Sequence, residues 1–237
     1  YIIVNGNSGK AMDVQSGRNA NGTPITQYQL NWTDSQIFAL DYKGSGTEPG
    51  NITDQTTLIQ NAIYNRAMST MGDGGFEYQR YYGGSGDWCV YYAYYILDSV
   101  LEDYGYTDTE RRNIIPRDGS TTRMAHKFNA KGRYKSYAKW NFNGQMYPNA
   151  TAEDYTPKVG DLVMIDNDGD DEEDYTPNHT GIIIAIDQYG FRTAEGNVSN
   201  RVQNFYYCRN GDTWVLRDSK GRWHYDIVVR GICDVDI

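Results

Sequence analysis

Cys89, His179, Glu195 and Asn197 are the residues whose types and spacing could do covalent chemistry in this chain. A cysteine attacks a carbonyl as thiolate, so its pKa must come down from about 8.5 toward neutrality. It also needs an imidazole to handle the proton and a polar group to orient that imidazole. Cys89 stands in "GGSGDWCVYYAYYILDSVLEDYG", where a glycine-rich stretch turns into a helical pattern. With Asp87 as N-cap, the spacing predicts Cys89 in the first helical turn, where backbone N–H groups and the helix dipole favour an anion. The same N–H groups can serve an oxyanion. Gly83, Gly84 and Gly86 keep the approach free of bulky side chains. A buried structural thiol is the competing reading.

The chain has three histidines. His126 lies in a weakly patterned segment, and His224 lies between Trp223 and Tyr225. His179 heads "HTGIIIAID", the most apolar strand segment, where a rigid element would hold it as a base. Glu195 and Asn197, two apart in "FRTAEGN", are predicted to share a strand face. A hairpin through "QYG" would bring that face beside His179, where a carboxylate or amide fixes the ring tautomer. The bland alternative is a solvated turn.

These residues need elements to position them. "DQTTLIQNAIYNRAMSTMG" predicts a helix capped by Thr53 or Asp54, with Leu58, Ile59, Ala62, Ile63 and Ala67 as its apolar stripe and Gly72 beyond its end. A second helix carries Val90, Ala93, Tyr94, Leu97 and Leu101 at helical spacing and stops at Gly105. Residues 106–155 show no strong period, with one more helix expected within "STTRMAHKFNAKGRYKSY". From Val159 the texture changes to short β-branched or aromatic runs split by turn residues: "VGDLVMID", "HTGIIIAID", "GFRTAEGN", "RVQNFYYC", "TWVLRD" and "DIVVRGICDV". Helices first and strands second predict an α+β domain with an antiparallel sheet. Residues 1–40 read as short strands and turns, and the Gly/Ser/Thr/Pro-rich "DYKGSGTEPGNITD" reads as a linker. The domains expected are 1–45 and 46–237.

Composition excludes some functions. A net charge of −9 with no basic stripe leaves nothing to neutralise phosphates, so nucleic acid is not an expected partner. Nor does that charge suit capture by an anionic surface. No run of about eighteen apolar residues offers a membrane span. The opening "YIIVNGNSG" carries no signal-peptide pattern, as expected of a mature fragment. The 22 Tyr, 25 Gly and low mean hydropathy of −0.72 suit a secreted protein that touches carbohydrate. Cys208 and Cys233 could pair in an oxidising compartment. Two separate buried thiols are the expectation, and Cys89 is the odd one out either way.

"GDWCVYYAYYI", "YTPKVGDLVMID", "NHTGIIIAID" and "AEGNVSNRV" resemble, in order and spacing, the CHAP family of cysteine, histidine-dependent amidohydrolases and peptidases. The resemblance runs from about residue 55 onward. It implies a papain-like α+β fold and cleavage of amide bonds in bacterial peptidoglycan or muropeptides, in the stem peptide or at its link to muramic acid. It implies Cys89 as nucleophile, His179 as general base, Glu195 as the group that orients His179 and Asn197 as a further polar contact. The enzyme would be secreted or associated with the cell wall. "VYYAYY" replaces the smaller residues usual after the cysteine, which leaves the bond specificity open.

Residues 1–40 resemble one repeat of the ricin-type β-trefoil lectins, through "VNGNSGKAMDV", "NGTPITQY" and "SQIF". That resemblance implies Asp13 binding a sugar, Tyr28 stacking on it and Gln36 assisting. A trefoil needs about three such repeats to close a core, so a lone repeat is expected to be a structural remnant. A carbohydrate-binding or adhesion protein with an inactive CHAP-like domain, and a cysteine protease acting on proteins, are the rival functions.

No cofactor is expected for thiol chemistry, because the histidines are too few and scattered for a zinc site. "DNDGDDEEDYTPNH" places Asp166, Asp168 and Asp170 at alternate positions, as oxygen-ligand loops do around a structural Ca²⁺. Asp171 stands where such a loop wants glycine, so a solvated acidic loop is the other reading.

Overall fold

The computed structural model describes residues 3, 8, 10–18, 20–29, 33–36, 55–75, 78–79, 87–137, 140–147, 155–167, 176–211, 213–218 and 220–237. By its internal contacts the chain divides into two units, Tyr1–Asn51 and Ile52–Ile237. In the first, Ala11–Val14 (β1) and Ile25–Tyr28 (β2) pair antiparallel, with short 3₁₀ turns at Gln15–Gly17 and Asp34–Gln36. The linker-like stretch, Thr53 and Asp54 lie outside the described residues.

The second unit runs helices first and strands second, an α+β order. Gln55–Ser69 (α1) buries Ile59, Ile63 and Ala67, four residues apart. Leu58, expected in that stripe, sits about 100° round the helix from Ile59 and is 39% exposed. Cys89–Asp103 (α2) buries Val90, Ala93, Tyr94, Leu97 and Leu101 as expected, and also Tyr92, Ile96 and Val100. It is covered nearly all round because it packs on α1 from one side and on the sheet from the other. Gly105, at φ 85°, ends α2: its N–H donates to Glu102 O while the Tyr106 N–H reaches back to Leu101 O. That pair of bonds satisfies carbonyls the helix would leave bare, and only a residue at ease with positive φ permits it.

The middle of the chain holds more than the one expected helix. Asp108–Ile114 (α3) starts from a capping box, in which Thr107 Oγ1 accepts from the Glu110 N–H and the Glu110 carboxylate accepts from the Thr107 N–H. Thr121–Ala130 (α4) is the expected helix, capped by Ser120. Tyr134–Ser136 (β3) and a small hairpin of Trp140–Phe142 (β4) and Gln145–Tyr147 (β5) follow.

Six further strands match the six predicted runs: Leu162–Asp166 (β6), His179–Ile186 (β7), Gly190–Val198 (β8), Arg201–Asn210 (β9), Thr213–Arg217 (β10) and Trp223–Cys233 (β11). They pair antiparallel in the order β10-β9-β8-β7-β6-β11. The sheet does not stay open, because β10 also pairs with β11 and closes a six-stranded barrel. β11 is long enough for both jobs: its first half meets β10, and its second half lies between β6 and β3. Register shifts at Val215/Leu216 and Val229/Gly231 bend the strands where the closure needs it.

Strand alternation then sorts the core into two clusters. Val163, Ile165, Ile183, Phe191, Tyr207, Trp214, Leu216, Val229 and Ile232 fill the barrel. Leu162, Met164, Ile182, Ile184 and Ala194 face the helices. Both faces of β6 and β7 are therefore apolar, which is why these strands read as continuous runs. Among the described residues no helix is long and apolar enough to cross a membrane.

Candidate active site

The thiol of Cys89 is set by Trp88, the residue that starts α2. The sequence favoured Asp87 as N-cap, but the cap position belongs to Trp88 and no side chain caps the helix. Trp88 is 2% exposed, stacks on Tyr78 at 5.5 Å and donates from Nε1 to Asn200 Oδ1 at 3.2 Å. A Cβ on Gly75 would fall 2.0 Å from the indole, and one on Gly196 would fall 2.7 Å from it. Both glycines are thus the room in which the ring sits. An anchored Trp88 fixes the first turn and, with it, Cys89. Asp87 instead accepts a 2.7 Å hydrogen bond from Asn197 Nδ2.

His179 and Glu195 come from the barrel. The expected hairpin is present, with β7 and β8 joined through residues 187–189 and Ile182 opposite Ala194. Glu195 follows Phe191 and Thr193 by strand alternation and so points into the barrel end. His179 Nε2 lies 3.0 Å from Glu195 Oε2, and both residues are buried. A Cβ on Gly181 would come 2.5 Å from Glu195 Cγ, so this glycine makes the space for the carboxylate. With Nε2 committed to Glu195, the other ring nitrogen is left for the thiol, and Cys89 and His179 act on each other electrostatically.

Electrostatics favours the charged form of each partner, a thiolate beside an imidazolium. Burial pushes the Cys89 thiol up, but the hydrogen bond and charge of His179, helped by the Thr121 hydroxyl and the Thr180 N–H, hold it below its ordinary value. Burial would pull the His179 imidazolium down, yet its hydrogen bonds to Cys89 and Glu195 raise it, to about 10. The two titrate as a unit, each stabilising the charge of the other. Cys208 and Cys233 are separate free thiols, and burial raises both above the ordinary value.

The contrast sets an expected result. Iodoacetamide should alkylate Cys89 far faster than Cys208 or Cys233 at pH 7, because only the thiolate reacts. Its rate should climb with pH through the lowered thiol value and be near its plateau well below pH 8.5, where a free thiol is still mostly protonated. Uniform slow labelling of all three thiols would refute the ion pair.

The remaining expected residues fall out differently. Asn197 does not share Glu195's alternation, because a bulge lies between Glu195 and Val198 and Asn197 sits at φ 65°. Its amide ties the end of β8 to Asp87, just ahead of α2. Residues 81–86, with Gly83, Gly84 and Gly86, lie outside the described residues, as do Asp168 and Asp170. Asp166 accepts from Arg230 Nε at 2.8 Å and Nη2 at 2.6 Å, which already neutralises its charge. In the first unit Gln36 Nε2 donates to Asp13 Oδ2 at 2.9 Å and Ser35 Oγ donates to the same oxygen at 3.2 Å. Asp13 and Tyr28 line an open cleft of about 930 Å³, with Tyr28 58% exposed at its edge, while Gln36 is fully buried behind Asp13.

Three site residues escaped the sequence reading. Thr121 begins α4 and puts its hydroxyl 4.0 Å from Cys89 Sγ. Thr193 Oγ1 donates to Glu195 Oε1 at 2.6 Å, and Tyr207 Oη donates to that same oxygen at 3.1 Å. Thr193 was within reach, two residues before Glu195 on one strand. Tyr207 needed the β8–β9 register, and Thr121 needed the tertiary fold.

No curated protein and no solved structure matches the chain. Residues 81–197, the stretch that holds Cys89, His179, Glu195 and Asn197, match the family model of the CHAP domain, and this supports a CHAP-domain protein.

Proposed function

We propose that the chain is a cysteine-dependent peptidoglycan hydrolase that cleaves amide bonds of the bacterial cell wall as a secreted or wall-associated enzyme. The observation that carries this is the buried Cys89–His179–Glu195 row, a helix-borne thiol facing a barrel-borne imidazole and carboxylate. A papain-like reading expects that division of labour. The Cys89 thiolate attacks the amide carbonyl carbon, and the carbonyl electron pair moves to oxygen. N–H groups at the start of α2, which have no partner within the helix, offer donors for that oxyanion. The imidazolium of His179 gives its proton to the departing amine as the C–N bond breaks, leaving a thioester on Cys89. Neutral His179 then takes a proton from water, whose attack on the thioester releases the acid and restores the ion pair. Glu195 holds the ring and balances its charge throughout.

Zymography on purified cell walls tests the activity. Clearing of the wall is expected. No clearing by folded protein with a reactive Cys89 would favour a binding protein or a protease for other substrates. Mass analysis of released fragments separates an N-acetylmuramoyl-L-alanine amidase from a stem-peptide endopeptidase.

The cleft of the first unit supports a second reading, sugar binding, since a fixed carboxylate beside an exposed aromatic face suits a pyranose. Asp13 would bond sugar hydroxyls, Tyr28 would stack on the ring, and Gln36 would hold Asp13 in place.

A further inference from the structure

Glu195 is a carboxylate at 2% exposure inside a barrel whose other lining residues are largely apolar. A buried carboxylate is costly unless its oxygens are satisfied by donors or a countercharge. Its two oxygens are divided. Oε2 faces His179 Nε2 at 3.0 Å, while Oε1 accepts from Thr193 Oγ1 at 2.6 Å and from Tyr207 Oη at 3.1 Å. The two hydroxyls reach Oε1 from different strands, Thr193 from β8 and Tyr207 from β9, so the carboxylate is fixed in rotation as well as in place. Both donors are themselves rigid. Thr193 is fully buried, and the Tyr207 ring lies 5.7 Å from Phe191 in a near-parallel stack within the barrel core. Burial and the neighbouring Glu195 charge keep the phenol protonated, so it donates at any working pH.

We propose that Tyr207 and Thr193 are positioning residues for the hydrolytic site, acting through Glu195: by occupying Oε1 they fix the carboxylate in place and in rotation and aim Oε2 at His179. The proposal rests on the reading of Cys89 and His179 as a catalytic pair. It gives a physical role to hydroxyls that touch neither the thiol nor the imidazole. Without them, Glu195 would have one partner for two buried oxygens, and its angle to the ring would relax. The imidazolium would lose support, and the thiolate with it.

The test reads Cys89 itself, so it does not depend on the wall substrate. Alkylation of Cys89 by iodoacetamide is followed against pH in the unsubstituted protein, Tyr207→Phe, Thr193→Val, Thr193→Ser, Glu195→Gln and the double variant Tyr207→Phe/Glu195→Gln. Tyr207→Phe keeps the ring in the barrel, and circular dichroism and melting temperature check that it folds. Its alkylation profile should move to higher pH, with the rate at pH 6 falling about fivefold, the net worth of one ordinary hydrogen bond. Thr193→Val should move it the same way, and Thr193→Ser, which keeps the hydroxyl, should restore it. In the Glu195→Gln background, Tyr207→Phe should change little, because the group it acts through has gone. A reactive Cys89 whose profile is unmoved in Tyr207→Phe overturns this proposal alone. So does an equal shift with and without Glu195. A Cys89 no more reactive than Cys208 in the unsubstituted protein overturns the catalytic reading and this proposal together.

Discussion

Replacing Cys89 with alanine is expected to abolish wall hydrolysis, a loss of about 10⁶-fold if the site behaves like other nucleophile–imidazole pairs. His179→Ala should cost about as much, and the double variant little more than either, because residues that act as a unit fail as a unit. The fold should survive both changes. Cys89 is held in place by the Trp88 anchor rather than holding it, and loss of its sulfur removes one small group from a large cluster. After His179→Ala, Glu195 still accepts from Thr193 and Tyr207. Glu195→Gln should lose less, since an amide oxygen can still orient the ring without balancing its charge. The measurement is dye release from labelled walls, with melting curves alongside. Lysis at the parent's rate by a well-folded His179→Ala protein would end the thiolate–imidazolium mechanism.

The second large effect concerns stability, through Asp98 on the buried side of α2. Its Oδ1 accepts from Arg111 Nε at 2.9 Å and from Arg117 Nη2 at 2.8 Å, and it is 4% exposed. Arg111 is itself buried and spends its other donors on Tyr106 O and Glu102. Asp98→Ala would take the buried carboxylate from the buried Arg111 guanidinium and leave it only the exposed Glu102 and Asp108 as countercharges, at a cost of about 3–5 kcal/mol. For a domain of this size that lowers the melting temperature by about 6–20 °C. Arg111→Met, which removes the charge and keeps the bulk, should cost less than Asp98→Ala. Thermal melts of the two variants decide it. An Asp98→Ala protein as stable as the parent would mean that solvent reaches the pair.

How much of this was visible in the chain depended on whether a feature was local. The six strands were legible because β-branched and aromatic runs end at Gly, Asn and Asp turns, and the stop of α2 was legible in Gly105. α3 left a signal in "TDTE", the Thr107–Glu110 capping box, but its short length gave no apolar period to accompany it. Closure of the barrel left none, since the β10–β11 pairing depends on where two strands bend. The same limit applied at the site. Cys89, His179 and Glu195 announce themselves by type and by motif, and the geometry brings all three together. Asn197 misled because alternation fails at a bulge, and Asp87 misled because a side chain suited to capping found Asn197 instead.

β11, the strand that closes the barrel, also bears on how the protein comes into being. Along the chain the thiol is synthesised first, the imidazole and carboxylate much later, and β11 after both. The core cluster that holds α2 also includes Cys233 and Val235, at the far end of that order. Such distant contacts form only after the entropy of closing a long loop has been met, which makes them late events in folding. Until β7 and β8 dock on α2, Cys89 has no imidazole beside it and remains an ordinary, mostly protonated thiol. A nascent or half-folded chain is therefore chemically quiet, and the proposed nucleophile is armed only once segments made much later have docked beside it.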